Sequence, residues 1–138
     1  MAAAAAPALH YRITPADLHA HLYAVELTVA APAAAQELAL PAWIPGSYLV
    51  REFAKNLQHL RAVQGGQALA VAQLGKDHWR VDCTSGQPLT LHYQVCAYDA
   101  SVRTAWLDSQ RGFFNATSLC LRVLGQDDAP CEVTLDAP

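Results

Sequence analysis

Residues 89–98 read LTLHYQVCAY, and apolar side chains occupy every second position of this stretch. A β-strand places alternate side chains on opposite faces, whereas a helix cannot collect this pattern on one face. One face of the predicted strand carries Leu89, Leu91, Tyr93, Val95 and Ala97. The stretch therefore predicts a strand with one buried face. Its register is well defined, because a slip of one residue would move the whole apolar set to solvent.

The same period of two recurs along the chain between turn residues. Trp79, Val81 and Cys83 alternate with polar residues, and the segment 119–123 repeats the pattern. Nine strands are predicted, at residues 9–14, 18–30, 36–40, 57–63, 67–73, 78–83, 88–98, 119–123 and 132–135. Gly65-Gly66 can supply the positive φ angles of a two-residue hairpin turn. We therefore expect an all-β fold, an antiparallel β-sandwich or saddle-shaped sheet of about nine short strands, with at most one short helical turn at residues 47–56.

The composition is that of one folded domain. The chain has 138 residues, of which 53% are hydrophobic and 15% are charged. This combination argues against disorder, and a chain of this length buries roughly two-thirds of its unfolded surface. We expect a disordered alanine-rich start over residues 1–8 and a single β domain over residues 9–138. The net charge is −3 and the basic residues are scattered, so we expect no nucleic acid and no membrane among its partners.

The cysteines and the amino terminus indicate the compartment. Cys83, Cys96, Cys120 and Cys131 lie at wide intervals without a C-x-x-C, which favours buried reduced thiols over a zinc knuckle or a redox pair. The first residues lack the basic start and the apolar run of a signal peptide, so we expect a cytoplasmic protein. No apolar run reaches the 18 or so residues that a membrane-spanning helix needs.

The usual hydrolytic motifs are absent from the sequence. A zinc peptidase needs H-E-x-x-H on a helix, so that two imidazoles one turn apart bind the metal beside a general-base glutamate. His19 and His21 are close, on one face of a predicted strand, but two solvent-facing histidines are the commoner explanation of such a pair. Ser47 follows Gly46 without a G-x-S-x-G, which favours a turn or capping role. We assign no catalytic residue and no metal ligand.

Aromatic and charged residues cluster in two other places. Trp43 and Trp106 are either core residues or exposed stacking platforms, whereas Trp79 alternates with the buried set. Asp99, Arg103, Asp108 and Arg111 either pair with one another and hold a loop in shape, or face a cleft and bind the polar ends of a peptide.

Residues 41–53 read PAWIPGSYLVREF, in which two prolines and Gly46 fix a turn that holds Trp43, Tyr48 and Arg51 close together. Together with YDASVR at 98–103 and LDSQRGFFN at 107–115, this run resembles the amino-terminal domain of the glycyl aminopeptidase family. These enzymes are zinc metallopeptidases (metallopeptidase family sixty-one) that carry a PDZ domain at the far end. The resemblance spans about residues 9–138.

The resemblance implies an all-β domain that precedes a thermolysin-like catalytic domain, packs on it and forms one wall of the substrate cleft. It places seven residues on the cleft or the interdomain surface: Trp43, Tyr48, Arg51, Glu52, Asp108, Arg111 and Asn115. It implies no cofactor in this chain and zinc in the parent enzyme. The expected partners are the protein's own catalytic domain and a peptide substrate, and the isolated domain is expected to self-associate through its exposed interdomain face.

The 138 residues contain no zinc-binding motif, so we expect no peptidase activity from them alone. The alternative is a free-standing β-sandwich that binds peptide or carbohydrate through Trp43, Trp106 and nearby charges. A third class, a purely structural assembly domain, predicts an exposed apolar patch.

Overall fold

The structure, a computed structural model, describes residues 8–40, 57–97, 105–114, 119–126 and 129–136, without the side chain of Phe113. Within these ranges the chain forms twelve strands. Their bounds are β1 Leu9–Asp17, β2 Leu22–Val29, β3 Ala35–Ala39, β4 Leu57–Gln64, β5 Gln67–Leu69, β6 Val71–Gly75, β7 His78–Asp82, β8 Leu89–Cys96, β9 Ala105–Leu107, β10 Gly112–Phe114, β11 Arg122–Val123 and β12 Cys131–Leu135. The all-β prediction is confirmed. The helical turn predicted at 47–56 and the alanine-rich residues 1–7 lie outside the described residues. No helix in the described part of the chain is long and apolar enough to cross a membrane.

The strands form two larger sheets and one hairpin. The six-stranded sheet has the order β12-β1-β2-β8-β4-β5, the four-stranded sheet has the order β11-β3-β7-β6, and β9 pairs with β10. The described pairings are antiparallel except that of β1 with β12, which is parallel, so the six-stranded sheet is mixed rather than antiparallel as predicted. The hairpin turn predicted at Gly65-Gly66 is confirmed, with φ angles of 58° and 79°.

The inner faces of the two sheets share one hydrophobic core. The strand quoted at the outset is β8, which lies between β2 and β4 and buries Leu89, Leu91, Tyr93 and Val95 as predicted. The four-stranded sheet adds Trp79, whose predicted core position is also confirmed. Each fully buried side chain of this kind contributes roughly 1.5–3 kcal/mol relative to an exposed one. The sheets are therefore held together mainly by their apolar faces.

Two predicted strands are shorter or divided. The strand predicted at 18–30 begins at Leu22, because residues 18–21 form a turn in which the Asp17 carboxylate accepts a hydrogen bond from the Ala20 amide (2.9 Å). His21 has a φ of 59° there, so the prediction that His19 and His21 share a strand face was wrong. The strand predicted at 67–73 divides into β5 and β6, which belong to different sheets. Alternation does not specify which sheet a residue joins.

The period-two pattern also did not predict a β-bulge in β4. Gln58 pairs with Gln94 and Arg61 pairs with His92, so two residues of β4 stand opposite Tyr93. His59 lies in the bulge and accommodates it with a φ of 57°, a left-handed value that is uncommon for a residue with a Cβ. The bulge keeps both Gln58 and Arg61 on the outer face of the sheet.

Tyrosine hydroxyls organise the segment that precedes β11. The predicted strand 119–123 pairs as a strand only at Arg122–Val123, although Leu119 and Leu121 are buried as the alternation indicated. The Tyr93 hydroxyl donates to the Leu119 carbonyl (2.5 Å) and accepts from the Leu121 amide (3.1 Å). The Tyr11 hydroxyl donates to the Leu121 carbonyl. Burial raises the pKa of both hydroxyls, so they stay protonated and able to donate.

Polar side chains on the outer face bind β12 to β1. Asp136 accepts hydrogen bonds from Arg12 Nε (2.7 Å) and from the Thr14 hydroxyl (2.8 Å), and these two contacts hold the pKa of its carboxyl below the usual value.

Cys131 at the start of β12 is exposed, which contradicts the expectation of buried thiols. The other three cysteines are half-buried, and all four are free.

Replacement of Tyr93 by phenylalanine tests the role of its hydroxyl. Tyr93→Phe should lower the free energy of unfolding by about 2–4 kcal/mol, because it removes the partner of a buried carbonyl and of a buried amide. Tyr23→Phe is the matched control. The Tyr23 hydroxyl makes one 3.2 Å bond to the Trp106 carbonyl, so its loss should cost only about 1 kcal/mol. Equal losses in urea denaturation would contradict this account of Tyr93.

The Asp136 carboxylate predicts a pH dependence. Its pKa is lower in the folded state than in the unfolded state, so its contribution to stability is complete above the unfolded value and is lost as pH falls through the folded value. Wild type should therefore exceed Asp136→Asn in melting temperature above about pH 5, and the two should converge towards about pH 2. A difference that does not change with pH would show that the carboxylate charge is not involved.

Candidate functional site

The structure describes two of the seven residues predicted for the cleft or interdomain surface, namely Asp108 and Arg111. Trp43, Tyr48, Arg51, Glu52 and Asn115 lie outside the described residues and stay predictions, as do the roles suggested for Asp99 and Arg103.

Asp108 and Arg111 bound the four-residue loop of the β9–β10 hairpin. Leu107 pairs with Gly112, and the Asp108 amide donates to the Arg111 carbonyl (2.9 Å), which closes the loop. Asp108 Oδ1 accepts from the amides of Gln110 and Arg111 at 2.8 Å each, and Oδ2 accepts from Trp106 Nε1 at 2.7 Å. These donors, the Gln110 amide foremost, hold the pKa of the Asp108 carboxyl below its usual value. Asp108 therefore organises the loop, whereas the Arg111 side chain is exposed.

The hairpin is attached to the end of the six-stranded sheet. The Leu107 amide donates to the Ala97 carbonyl (2.8 Å), and Tyr23 donates to the Trp106 carbonyl (3.2 Å). His21 Nδ1 lies 2.5 Å from the Leu107 carbonyl oxygen, which can only accept, so Nδ1 carries the proton. The turn that shortens β2 thus places His21 against the hairpin.

Gly112 allows the hairpin to approach the sheet this closely. A Cβ at this position would lie 2.5 Å from the Tyr23 hydroxyl oxygen and 2.9 Å from Leu107 Cδ1. The ring of Tyr23 also meets Phe114 edge to face, with centroids 5.6 Å apart. Only glycine fits without displacing Tyr23, so the loop position depends on this residue.

A groove of about 570 Å³ opens between this loop, the turn after β1 and the end of β12. Its apolar lining includes Ile13, Leu18, Leu107, Phe114 and Leu135, and its polar lining includes Asp108, Arg111 and Asp136. The structure therefore brings the two described site residues together with Leu18 and Leu135, which sequence reasoning did not single out. The alternation marked Leu135 as a strand residue, but it gave no signal that its apolar side is open.

A second groove, of about 680 Å³, crosses the outer face of the six-stranded sheet. The register places Arg12 beside Glu26, Glu26 beside His92, and His92 beside Arg61. Arg12 and Arg61 carry two positive charges here, and these are balanced by Glu26 and by Asp136, which is paired with Arg12 (2.7 Å). The row therefore presents no excess charge that would select a charged ligand.

The described residues do not fit a zinc site. They contain no group of three or more His, Cys, Asp or Glu placed to hold a metal ion. His21 directs one ring nitrogen to a backbone carbonyl, and His19 lies in an exposed turn. No step of zinc chemistry is assigned to these residues.

Comparisons with known proteins agree on the family. A family model described as the Peptidase M61 N-terminal domain matches residues 10–138. The crystal structure of an aminopeptidase N family protein from Idiomarina loihiensis is 53% identical, with a TM-score of 0.90, over 94% of this chain and 22% of that protein's chain. No curated protein matches the sequence. The chain thus spans about a fifth of the length of the solved relative, and it belongs to the peptidase M61 N-terminal domain family.

Proposed function

We propose that these residues are the non-catalytic amino-terminal domain of a zinc-dependent aminopeptidase. In the longer protein the domain packs on the catalytic domain and forms one wall of the peptide-binding cleft. The observation that carries the proposal is the family match over residues 10–138, together with the 22% of an aminopeptidase N family protein that the chain covers. The zinc ion would activate a water molecule in the catalytic domain, and this chain would supply shape and contacts around it.

The hairpin loop is suited to a cleft wall because its geometry is fixed before any peptide arrives. Asp108 binds two loop amides and the Trp106 indole, so little conformational entropy remains to be lost when a peptide binds. Arg111 is exposed at the groove and can donate to a peptide carboxylate or carbonyl oxygen. Trp43, Tyr48, Arg51, Glu52 and Asn115 are proposed to line the same surface.

The free-standing binding module gains no support from Trp106. Its indole Nε1 donates a hydrogen bond to Asp108 and its side chain is half-buried, so the ring is not an open stacking platform for a sugar.

The peptidase assignment is tested on the longer protein that carries this domain. That protein should release amino-terminal residues from short peptides, lose this activity on chelation and regain it when zinc is added. A pure, folded longer protein that binds peptides but never cleaves them would contradict the proposal and favour a binding function.

The cleft-wall role is tested through Arg111. In the longer protein Arg111→Ala should raise KM for peptides by about ten-fold with little change in kcat, because it removes a charge-assisted contact made before and during the reaction. Arg61→Ala is the matched control, since Arg61 is also exposed but lies on the outer face of the sheet. If both variants have the kinetic constants of wild type, Arg111 does not contact the substrate.

A further inference from the structure

The inner face of the six-stranded sheet continues onto β12, where it is left open. Cys131, Val133 and Leu135 pair in parallel register with Leu9, Tyr11 and Ile13, so their side chains point to the same side as those core residues. Leu9, Tyr11 and Ile13 are 6%, 5% and 1% exposed, whereas Val133 and Leu135 are 49% and 63% exposed. We call Cys131, Val133 and Leu135 the β12 stripe.

The exposure of the stripe does not come from a loosely held strand. On the opposite face Thr134 bonds to His10 (2.8 Å), and Asp136 bonds to Arg12 and Thr14. The backbone ladder runs from the Leu9 amide to the Pro130 carbonyl and from the Asp136 amide to the Ile13 carbonyl. A firmly attached strand therefore presents an apolar side that stays about half exposed at Val133 and more exposed at Leu135.

The open surface extends beyond the stripe. Leu135 also lines the 570 Å³ groove together with Ile13, Leu18 and Phe114. Three large apolar side chains are exposed among the described residues, and two of them are Val133 and Leu135. A contiguous apolar surface of this kind marks an interaction site rather than a surface selected for contact with water.

We infer that the β12 stripe, including Leu135 at the edge of the groove, is the docking surface for an apolar face of the peptidase region of the same polypeptide. The edge of the groove formed by the hairpin loop, with Arg111, is left open to the peptide. This inference rests on the proposed function and specifies which surface of the domain serves it. The family model places the domain at the amino end of peptidases, and the matched solved protein has most of its length outside the matched part. β12 is the last described strand, so in a longer protein the following chain leaves from this edge and reaches the stripe with the least loop-closure cost.

Cys131 provides a native probe, because its thiol is exposed on the stripe. Iodoacetamide should alkylate Cys131 readily in the 138-residue chain and at least about ten-fold more slowly in the longer protein, where docking covers it. The half-buried Cys96 is the internal reference and should react alike in both. Equal rates for Cys131 in the two proteins would overturn the docking surface.

A pair of substitutions separates docking from folding. Leu135→Lys should leave the melting temperature of the 138-residue chain unchanged, since the side chain is already exposed, and should restore rapid alkylation of Cys131 in the longer protein. Leu74→Lys is the matched control, because Leu74 is 48% exposed on the other sheet, and it should leave Cys131 protected. If Leu135→Lys has no effect in the longer protein, the inference fails.

Two further outcomes would overturn the docking surface in different ways. A longer protein that cleaves peptides while Cys131 stays reactive would overturn the docking surface and leave the proposed function intact. Protection of Cys131 in the longer protein that is lost when a dimer, identified by sedimentation, is diluted to monomer would overturn it in favour of a second copy of the chain as the occupant.

Discussion

The path of the chain into the four-stranded sheet depends on the Tyr93 hydroxyl. This hydroxyl stands on the central strand of the six-stranded sheet and bonds the backbone at Leu119 and Leu121, and the chain then enters β11 at the edge of the four-stranded sheet. A buried hydroxyl with both its donor and its acceptor used is favourable, whereas either partner left alone would be costly. The apolar core supplies most of the free energy, and the tyrosines determine where the segment before β11 lies.

At the surface, too, some residues fix the structure and others are left exposed for contact. Asp108 and Gly112 fix the position of the hairpin, one through hydrogen bonds to the loop and the other by allowing close approach to Tyr23. What remains exposed around the groove is Arg111 and a set of apolar side chains. Such a surface can bind and orient a partner, and the described residues contain no group of three or more His, Cys, Asp or Glu placed to hold a metal ion. The proposed role, a shaped wall beside the catalytic part of a larger peptidase, requires no more than this of the domain.

Sequence reasoning succeeded where a local pattern decides the outcome. The alternation in 89–97 predicted the buried face of β8, and Gly65-Gly66 predicted the hairpin turn. It failed at a local turn, where Asp17 binds the Ala20 amide and ends the strand before His21. It also failed where a tertiary partner decides, because residues 119–121 are positioned by tyrosines distant in sequence. For the site, the interleaving of charges and aromatic residues singled out Asp99, Arg103, Asp108 and Arg111, and their part in binding stays a prediction. Leu18 and Leu135 could not be found, because alternation assigns a side chain to a face but does not say whether that face is covered.

The most direct measurement is an assay of the purified 138-residue chain, with and without added zinc, on an aminoacyl chromogenic substrate. A domain that shapes a cleft without owning its reactive groups should be folded by circular dichroism and should release no chromophore above the buffer rate. Zinc-dependent turnover by these 138 residues alone, at a rate that scales with their concentration, would contradict the account.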